Sequence, residues 1–298
     1  MARAALIALL LSLFAPIAGV GAVERIVAVL SSEAPPYRSA VAALALALDG
    51  RAVLDIRLLD ETRPEHLVQA RVLVAVGSTA ASALRLGLRE GQALCYALVS
   101  DPGAQGLVGN GRISGISATV PFTDQFALLV RSHPACRRLG ILHRGDRDSE
   151  ILLKAATQAL PAGWSIKAVS TVGTDLSAAI DAVTRDVDAI WTHADNVLFT
   201  DATVRLLLLS ALRRRIAVFG FSPAFVRAGA LIGVGIDAED QGRRLAPLIL
   251  RILDGEAATG IHLDPIAEIA VNLTVAAKLG LRLDEALVGE ARHRFGDR

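Results

Sequence analysis

The chain has 298 residues, 53% hydrophobic, 4% aromatic and 20% charged, enough to bury a sizeable core in one large domain or two modest lobes. Glycines and prolines are dispersed and no long polar tract occurs, which argues against disorder, collagen-like repeats and a coiled coil. A formal net charge of +1, with no basic block long enough to neutralise a row of phosphates, argues against nucleic acid as a partner.

Residues 1–22 carry one basic residue, Arg3, then an apolar run to Phe14, a break at Pro16 and small residues to Ala22. That is the layout of a secretory signal peptide, with Val20 and Ala22 suited to the cleavage site and the mature chain starting near Val23. No Cys follows that could take a lipid anchor, and no other apolar run is long enough to span a bilayer. A periplasmic location after cleavage is expected.

From residue 24 onward, β-branched apolar runs alternate with longer segments of helical periodicity. Strands are expected at 25–30, 53–57, 72–76, 94–99, 138–143, 165–169, 189–192, 216–219 and 231–236. Most read as continuous apolar runs, as strands buried on both faces do. Helices are expected at 36–48, 79–86, 123–131, 149–160, 176–184, 201–213 and 239–253, commonly with Asp, Ser or Thr at their starts. The rhythm is that of an α/β protein with doubly wound parallel sheets. It breaks at 108–121, around a short isolated strand-like piece at 112–116, and again at 233–240 and 259–265. Three crossings imply two intertwined lobes, 23–118 plus 237–262 and 119–236 plus 263–298.

In doubly wound sheets, ligands collect beyond the carboxyl ends of the strands. After the first strand, Ser31, Ser32, Glu33 and Tyr37 combine hydroxyls, a carboxylate and a ring around Pro35-Pro36. They suit a small polar ligand, although a capped helix start accounts for most of the pattern. After the third strand, Gly77-Ser78-Thr79 puts hydroxyls and free N–H groups at a helix start, a place for a carboxylate; plain capping by Ser78 or Thr79 has the same chemistry. Further strand ends give Ser100-Asp101, His143-Arg144-Gly145-Asp146, His193-Ala194-Asp195 and Phe221-Ser222. A zwitterion such as an amino acid wants this mixture, a helix end for its carboxylate and an Asp such as Asp195 for its ammonium.

Catalytic and cofactor readings lack support. Gly220-Phe221-Ser222-Pro223 stands where a hydrolase elbow would, but the final Gly is missing and Pro223 has no N–H for an oxyanion hole. The histidines form no HExxH or turn-spaced pair, and no phosphate-binding loop occurs, so neither metal nor cofactor is expected. Cys95 and Cys136 form no CxxC and read as small core residues. His66, His133 and His293 read as solvated or capping residues, while His143 and His193 are ligand candidates by position.

Several segments taken together carry a resemblance: Val74-Ala75-Val76-Gly77-Ser78-Thr79-Ala80-Ala81, Val99-Ser100-Asp101-Pro102, Ile113-Ser114-Gly115-Ile116-Ser117, and the run from Arg213 through Leu231. With Val271-Asn272-Leu273 near the end, the chain resembles the periplasmic substrate-binding proteins of ABC transporters, in the branch of tryptophan- and tyrosine-binding components. The resemblance implies a type I periplasmic binding fold with a ligand between the lobes, surrounded by loops at Ser31–Tyr37, Gly77–Thr79, Ser100–Asp101, His193–Asp195 and Phe221–Ser222. The stretch before Val72 is shorter than the family's pattern. Stacking rings near the expected crevice are limited to Tyr37, Phe122, Trp191, Phe199 and Phe221.

Two readings of function follow. The first is a monomeric, non-enzymatic solute-binding component of an ABC importer, taking an amino acid or small carboxylate and docking on a permease. The alternative is a periplasmic sensory or interaction module with the same fold and an altered pocket, facing a sensor ectodomain instead.

Overall fold

A computed structural model describes residues 24–195, 197–256 and 260–296; the segment read as a signal peptide lies outside the described residues. In chain order, β1 (Glu24–Leu30), α1 (Pro35–Ala47), β2 (Ala52–Leu58), α2 (Pro64–Leu67), β3 (Val72–Val76), α3 (Ser78–Leu86), β4 (Ala93–Val99) and β5 (Ile113–Ser117) come first. There follow α4 (Phe122–Ser132), β6 (Arg138–His143), α5 (Arg147–Ala159), β7 (Ser165–Ser170), α6 (Leu176–Val183), β8 (Ala189–Trp191), α7 (Asp201–Arg213), β9 (Ala217–Gly220), α8 (Pro223–Ala228) and β10 (Ile232–Ile236). The last elements are α9 (Ala238–Leu253), β11 (His262–Leu263), β12 (Ala267–Asn272), α10 (Leu273–Leu279), α11 (Glu285–Glu290) and β13 (His293–Phe295).

These elements group into two compact units, formed by the described residues of 1–116 with 238–262 and of 117–237 with 263–298. In unit 1 the strands lie in the order β11-β5-β4-β3-β1-β2, and in unit 2 in the order β13-β12-β10-β9-β8-β6-β7. The pairings β2-β1-β3-β4 and β7-β6-β8-β9-β10 are all parallel, and only β10-β12 runs antiparallel in sheet B. Each unit is thus an α/β lobe on a mainly parallel sheet.

The burial of β3 and β4 is complete from end to end, because helices cover both faces of a parallel sheet. Side chains alternate between those faces. In unit 2, Leu139 and Ile141 of β6 join one cluster with Trp191 and Phe219, while Leu142 joins another with Ile190 and Val218.

Some expectations change. β2 and β7 are sheet edges and only half buried, with Val53 56% and Ile56 49% exposed; an apolar run reads alike at an edge and in the centre. The strand expected to stand alone at 112–116 is instead hydrogen-bonded between β4 and β11. Its partner β11 is two residues long, too short to show as a run. The elements α2, α8, α10, α11, β11, β12 and β13 arise where no periodic run announced them.

Helix α9 packs on α1 at Gly242, where a Cβ would collide with the carbonyl of Ala40. Gly242→Ala should therefore destabilise the protein by about 1–3 kcal/mol through overpacking. Gly289→Ala, in α11 with open space around its Cβ position, should leave stability equal or raise it by up to about 1 kcal/mol. Urea unfolding of the two variants checks both, and equal midpoints would refute the close approach of α1 and α9.

Candidate functional site

A sheet of this order reverses direction between its first and third strands, and the loops leaving those two strands diverge there, opening a crevice. In unit 1 the reversal lies between β1 and β3, and in unit 2 between β6 and β8.

At the first reversal, Ser31 N–H donates to Val76 O at 2.9 Å and Gly77 N–H donates to Ala97 O at 2.9 Å, extending the ladder by one residue. Gly77 has φ 95°, and a Cβ there would fall 2.6 Å from Ser31 Oγ and 3.0 Å from the Tyr37 ring. Only glycine meets both demands. The resulting gap lets Ser31 Oγ accept the Ala80 N–H at 3.0 Å. Helix α3 is therefore capped from another strand's loop; neither Ser78 nor Thr79 caps it, since its N-cap position is Gly77 itself. Ser78 Oγ accepts from Ser100 N–H at 3.2 Å, and Thr79 stands exposed. The N–H groups of Ser78 and Thr79 have no partner among the described residues. This end of α3 offers two amides and up to three hydroxyl protons to an anion.

The neighbouring residues have local roles. Ser32 Oγ accepts from Ala34 N–H at 3.3 Å, and Glu33 pairs with Arg38 on the open surface, where an ion pair adds little. Asp101, at φ 46°, closes its own turn by accepting from Ala104 N–H at 2.9 Å. Just before it, Leu98 holds φ 55° inside β4, with its N–H donated to the buried Gln241 of α9 at 2.8 Å. Gln241 anchors that strained strand end from the first turn of α9, a place that gave no sequence signal.

At the second reversal the chemistry is ionic. Arg144 lies between two carboxylates, with Nε 2.8 Å from Asp195 and Nη2 2.7 Å from Asp146. Asp195 also accepts from Val197 N–H at 2.9 Å and Leu198 N–H at 3.0 Å, and Asp146 caps α5 through Ser149. Burial opposes ionisation of Asp195, but the bonds from Leu198, Arg144 and Val197 outweigh it and hold the carboxyl below its usual range. A ligand ammonium at Asp195 would have to compete with Arg144. His143 Nδ1 accepts from Gly145 N–H at 3.1 Å. His193 is 9% exposed, its Nε2 stands 4.0 Å from Asp195, and its Nδ1 is buried without a partner.

His193 also belongs to a row of rings. It lies 6.2 Å from Trp191 and 5.6 Å from Phe199, centroid to centroid, and Phe199 lies 5.8 Å from Phe221. Phe122 meets Trp191 edge-on at 5.3 Å. Trp191 and Phe199 are core, leaving Phe122 and Phe221 as the half-buried ends of the row. Trp191 Nε1 donates to Gln125 at 3.0 Å, and these two residues line a small recess with Leu128, Phe219, Ile232 and Val234. Ser222 caps α8 by accepting from Phe225 N–H at 3.3 Å, with Pro223 opening the helix.

The structure thus gathers Ser31, Tyr37 and Gly77 with Ser78 and Ser100 in unit 1, and His143, His193 and Asp195 in unit 2. Ser32, Glu33 and Asp101 serve their own turns. Arg144, beside His143, is the charged residue that residue-by-residue reading underweighted. Of the other histidines, His66 is a cap, accepting from Arg63 N–H at 3.1 Å. His133 is the C-cap residue of α4, with a buried, unpartnered Nδ1, and the expectation changes for His293, which bonds Glu268 at 2.6 Å in a half-buried position.

A sequence profile of the ABC transporter substrate binding protein family matches residues 66–294. The chain belongs to that family. No curated protein sequence matches it. Among solved structures, this substrate binding protein is similar to an ABC domain from Streptococcus pneumonia in complex with L-Trp, at 19% identity and TM-score 0.69 over 92% of this chain and 100% of that one. It is also similar to a ligand-free, open substrate binding protein with adhesive properties from Clostridium difficile, at 19% identity and TM-score 0.75 over 93% and 100%. A periplasmic ribose ABC transporter protein from Conexibacter woesei follows at 16% identity and TM-score 0.60 over 87% and 95%. At these identities the likeness shows the fold.

Burial depresses the pKa of His133, His143, His193 and His262 below the ordinary imidazole value, in each case as the largest cause. A histidine held neutral in the fold binds its proton first in the unfolded chain, so stability is full above about pH 6.5 and falls as pH drops toward the folded values. The melting temperature of this substrate binding protein should fall between pH 7 and pH 5, ahead of the carboxylate losses below about pH 4. A flat profile from pH 7 to pH 5 would refute the burial of these rings.

Proposed function

We propose that the chain is the periplasmic solute-binding component of an ABC importer, exported by its first 22 residues, which binds an amino acid or small carboxylate and delivers it to a membrane permease. Family membership supports binding in place of catalysis. The observation that carries the ligand class is the amino end of α3, where the N–H groups of Ser78 and Thr79 are unpartnered beside the Ser31, Ser78 and Thr79 hydroxyls. Such an end takes a carboxylate without a cationic side chain. The L-Trp complex is a property of the Streptococcus pneumonia protein; here it supports including aromatic amino acids in the ligand screen. Among the described residues no helix is long and apolar enough to cross a membrane, and docking on separate permease subunits fits that reading.

The sensory or interaction reading has one observation in its favour: Asp101 and Asp195 are already engaged by the chain's own donors. Thermal unfolding against amino acids, small carboxylates, sugars and purines separates the two, since a ligand specific to the folded state raises the melting temperature. A rise with one carboxylate compound is expected. No shift with any compound would favour the sensory reading. For the compound found, Thr79→Val should weaken binding by about 1–3 kcal/mol in calorimetry, and equal affinity for its uncharged amide would overturn the carboxylate assignment.

A further inference from the structure

The chain leaves unit 1 after Ile116, at the end of β5, and again after His262, in β11. These two exits are neighbours, because β11 pairs with β5 at the edge of sheet A. Beside the β5-β11 ladder, Gly115 N–H donates to Ile261 O at 2.8 Å, and Ile261 N–H donates to Ser114 Oγ at 3.0 Å. A further tie comes from β4. Fully buried Tyr96 reaches past β5 so that its Oη lies 2.8 Å from His262 Nδ1, with the rings stacked at 5.9 Å. Gly115 makes the crossing possible, since a Cβ at that position would overlap the Tyr96 ring and carbonyl. The far nitrogen, His262 Nε2, is buried and unpartnered.

We propose that Tyr96 and His262 form a proton-sensitive clasp that holds β11 on β5 where the chain twice leaves unit 1, and so governs the freedom of those two exits. Its bearing on ligand binding rests on the solute-binding reading above. In the neutral tautomer that carries its proton on Nε2, Tyr96 Oη–H donates to Nδ1. An added proton makes Nδ1 a donor, so that Tyr96 Oη must turn to accept, and it places a buried charge on a ring whose Nε2–H finds no acceptor among the described residues, which favours release of the ring toward water. Among the described residues no carboxylate counters the effect of burial on this ring. Asp264 is exposed two residues on, Arg112 before β5 donates to Arg89 O at 2.7 Å, and on α9 Asp240 and Arg244 face each other at 3.6 Å. On β4, burial pushes the Cys95 thiol and the Tyr96 phenol up to about 12, so both stay neutral. Burial alone depresses His262.

Amide hydrogen exchange read by NMR on the full chain without ligand tests this. Tyr96→Phe keeps the ring and removes the hydroxyl. Exchange at Gly115 and Ile261 should rise about tenfold at pH 7, the loss of one buried hydrogen bond, while β1 and β3 stay protected. In the wild type, the same two amides should loosen between pH 7 and pH 5 beyond the intrinsic pH dependence. His262→Asn, which keeps an acceptor near the Nδ1 position but does not titrate there, should stay protected at both pH values. Unchanged exchange in Tyr96→Phe, or an equal rise across β1 and β3, would overturn the clasp. Because no ligand is used, a failed clasp leaves the solute-binding reading standing, and an empty ligand screen leaves the clasp standing.

Discussion

The absence of a side chain at Gly77 is the constraint on which the start of α3 depends. A parallel sheet whose chain order reverses must bring the end of β1 against the start of α3. There the backbone has to turn at φ 95° within reach of Ser31 and Tyr37. With a Cβ in that gap, Ser31 Oγ could not reach the Ala80 N–H, and α3 would lose the one side-chain cap it has. Because the cap is lent by β1 and takes the third amide, the first two N–H groups of α3 face outward unpaired. A local cap from Ser78 or Thr79 would have turned a hydroxyl inward and given the helix end less to offer an anion.

The second unit solves the same topological problem with charge. Its reversal point holds one guanidinium between two carboxylates, each carboxylate also fixed by backbone donors. The three formal charges sum to about −1 with the buried histidines neutral. The two units therefore differ in kind: the first presents unpaired donors, while the second presents a nearly saturated ionic lattice beside a row of rings whose half-buried ends are Phe122 and Phe221. The first chemistry suits an anion, and at the second a cation would have to displace Arg144 from carboxylates that backbone donors already hold.

The strand cores were legible because burial on two faces writes itself as a continuous apolar run: β3 and β6 match the expected residues 72–76 and 138–143. The strand-end loops were legible for the same reason, since a loop begins where the run stops. What the sequence did not reveal was interaction at a distance. Nothing near Ser31 shows that it caps a helix 47 residues later, and nothing near Asp195 shows that Arg144 already occupies it. Edge strands are hidden likewise, since Val53 and Ile56 belong to an apolar pattern yet lie half exposed. β11, two residues long, exists only because β5 offers it an edge.

Three rings in this protein, His133, His193 and His262, each bury a nitrogen without a partner. An unpaired buried polar atom costs about 1–3 kcal/mol, so each is a place where stability has been given up. His193 lies at the second reversal point, beside Arg144 and Asp195. His262 lies where the chain leaves unit 1. At His262 the Tyr96 hydroxyl serves one nitrogen and leaves the other idle, while at His193 the nearest carboxylate, Asp195, stands 4.0 Å from Nε2, beyond hydrogen-bond reach. The idle nitrogen keeps the ring short of a fully satisfied minimum, and a group held that way changes state for less free energy than one bonded on both sides. The same reasoning separates His66, which is bonded in a surface cap and has no such leverage, from the rings that do.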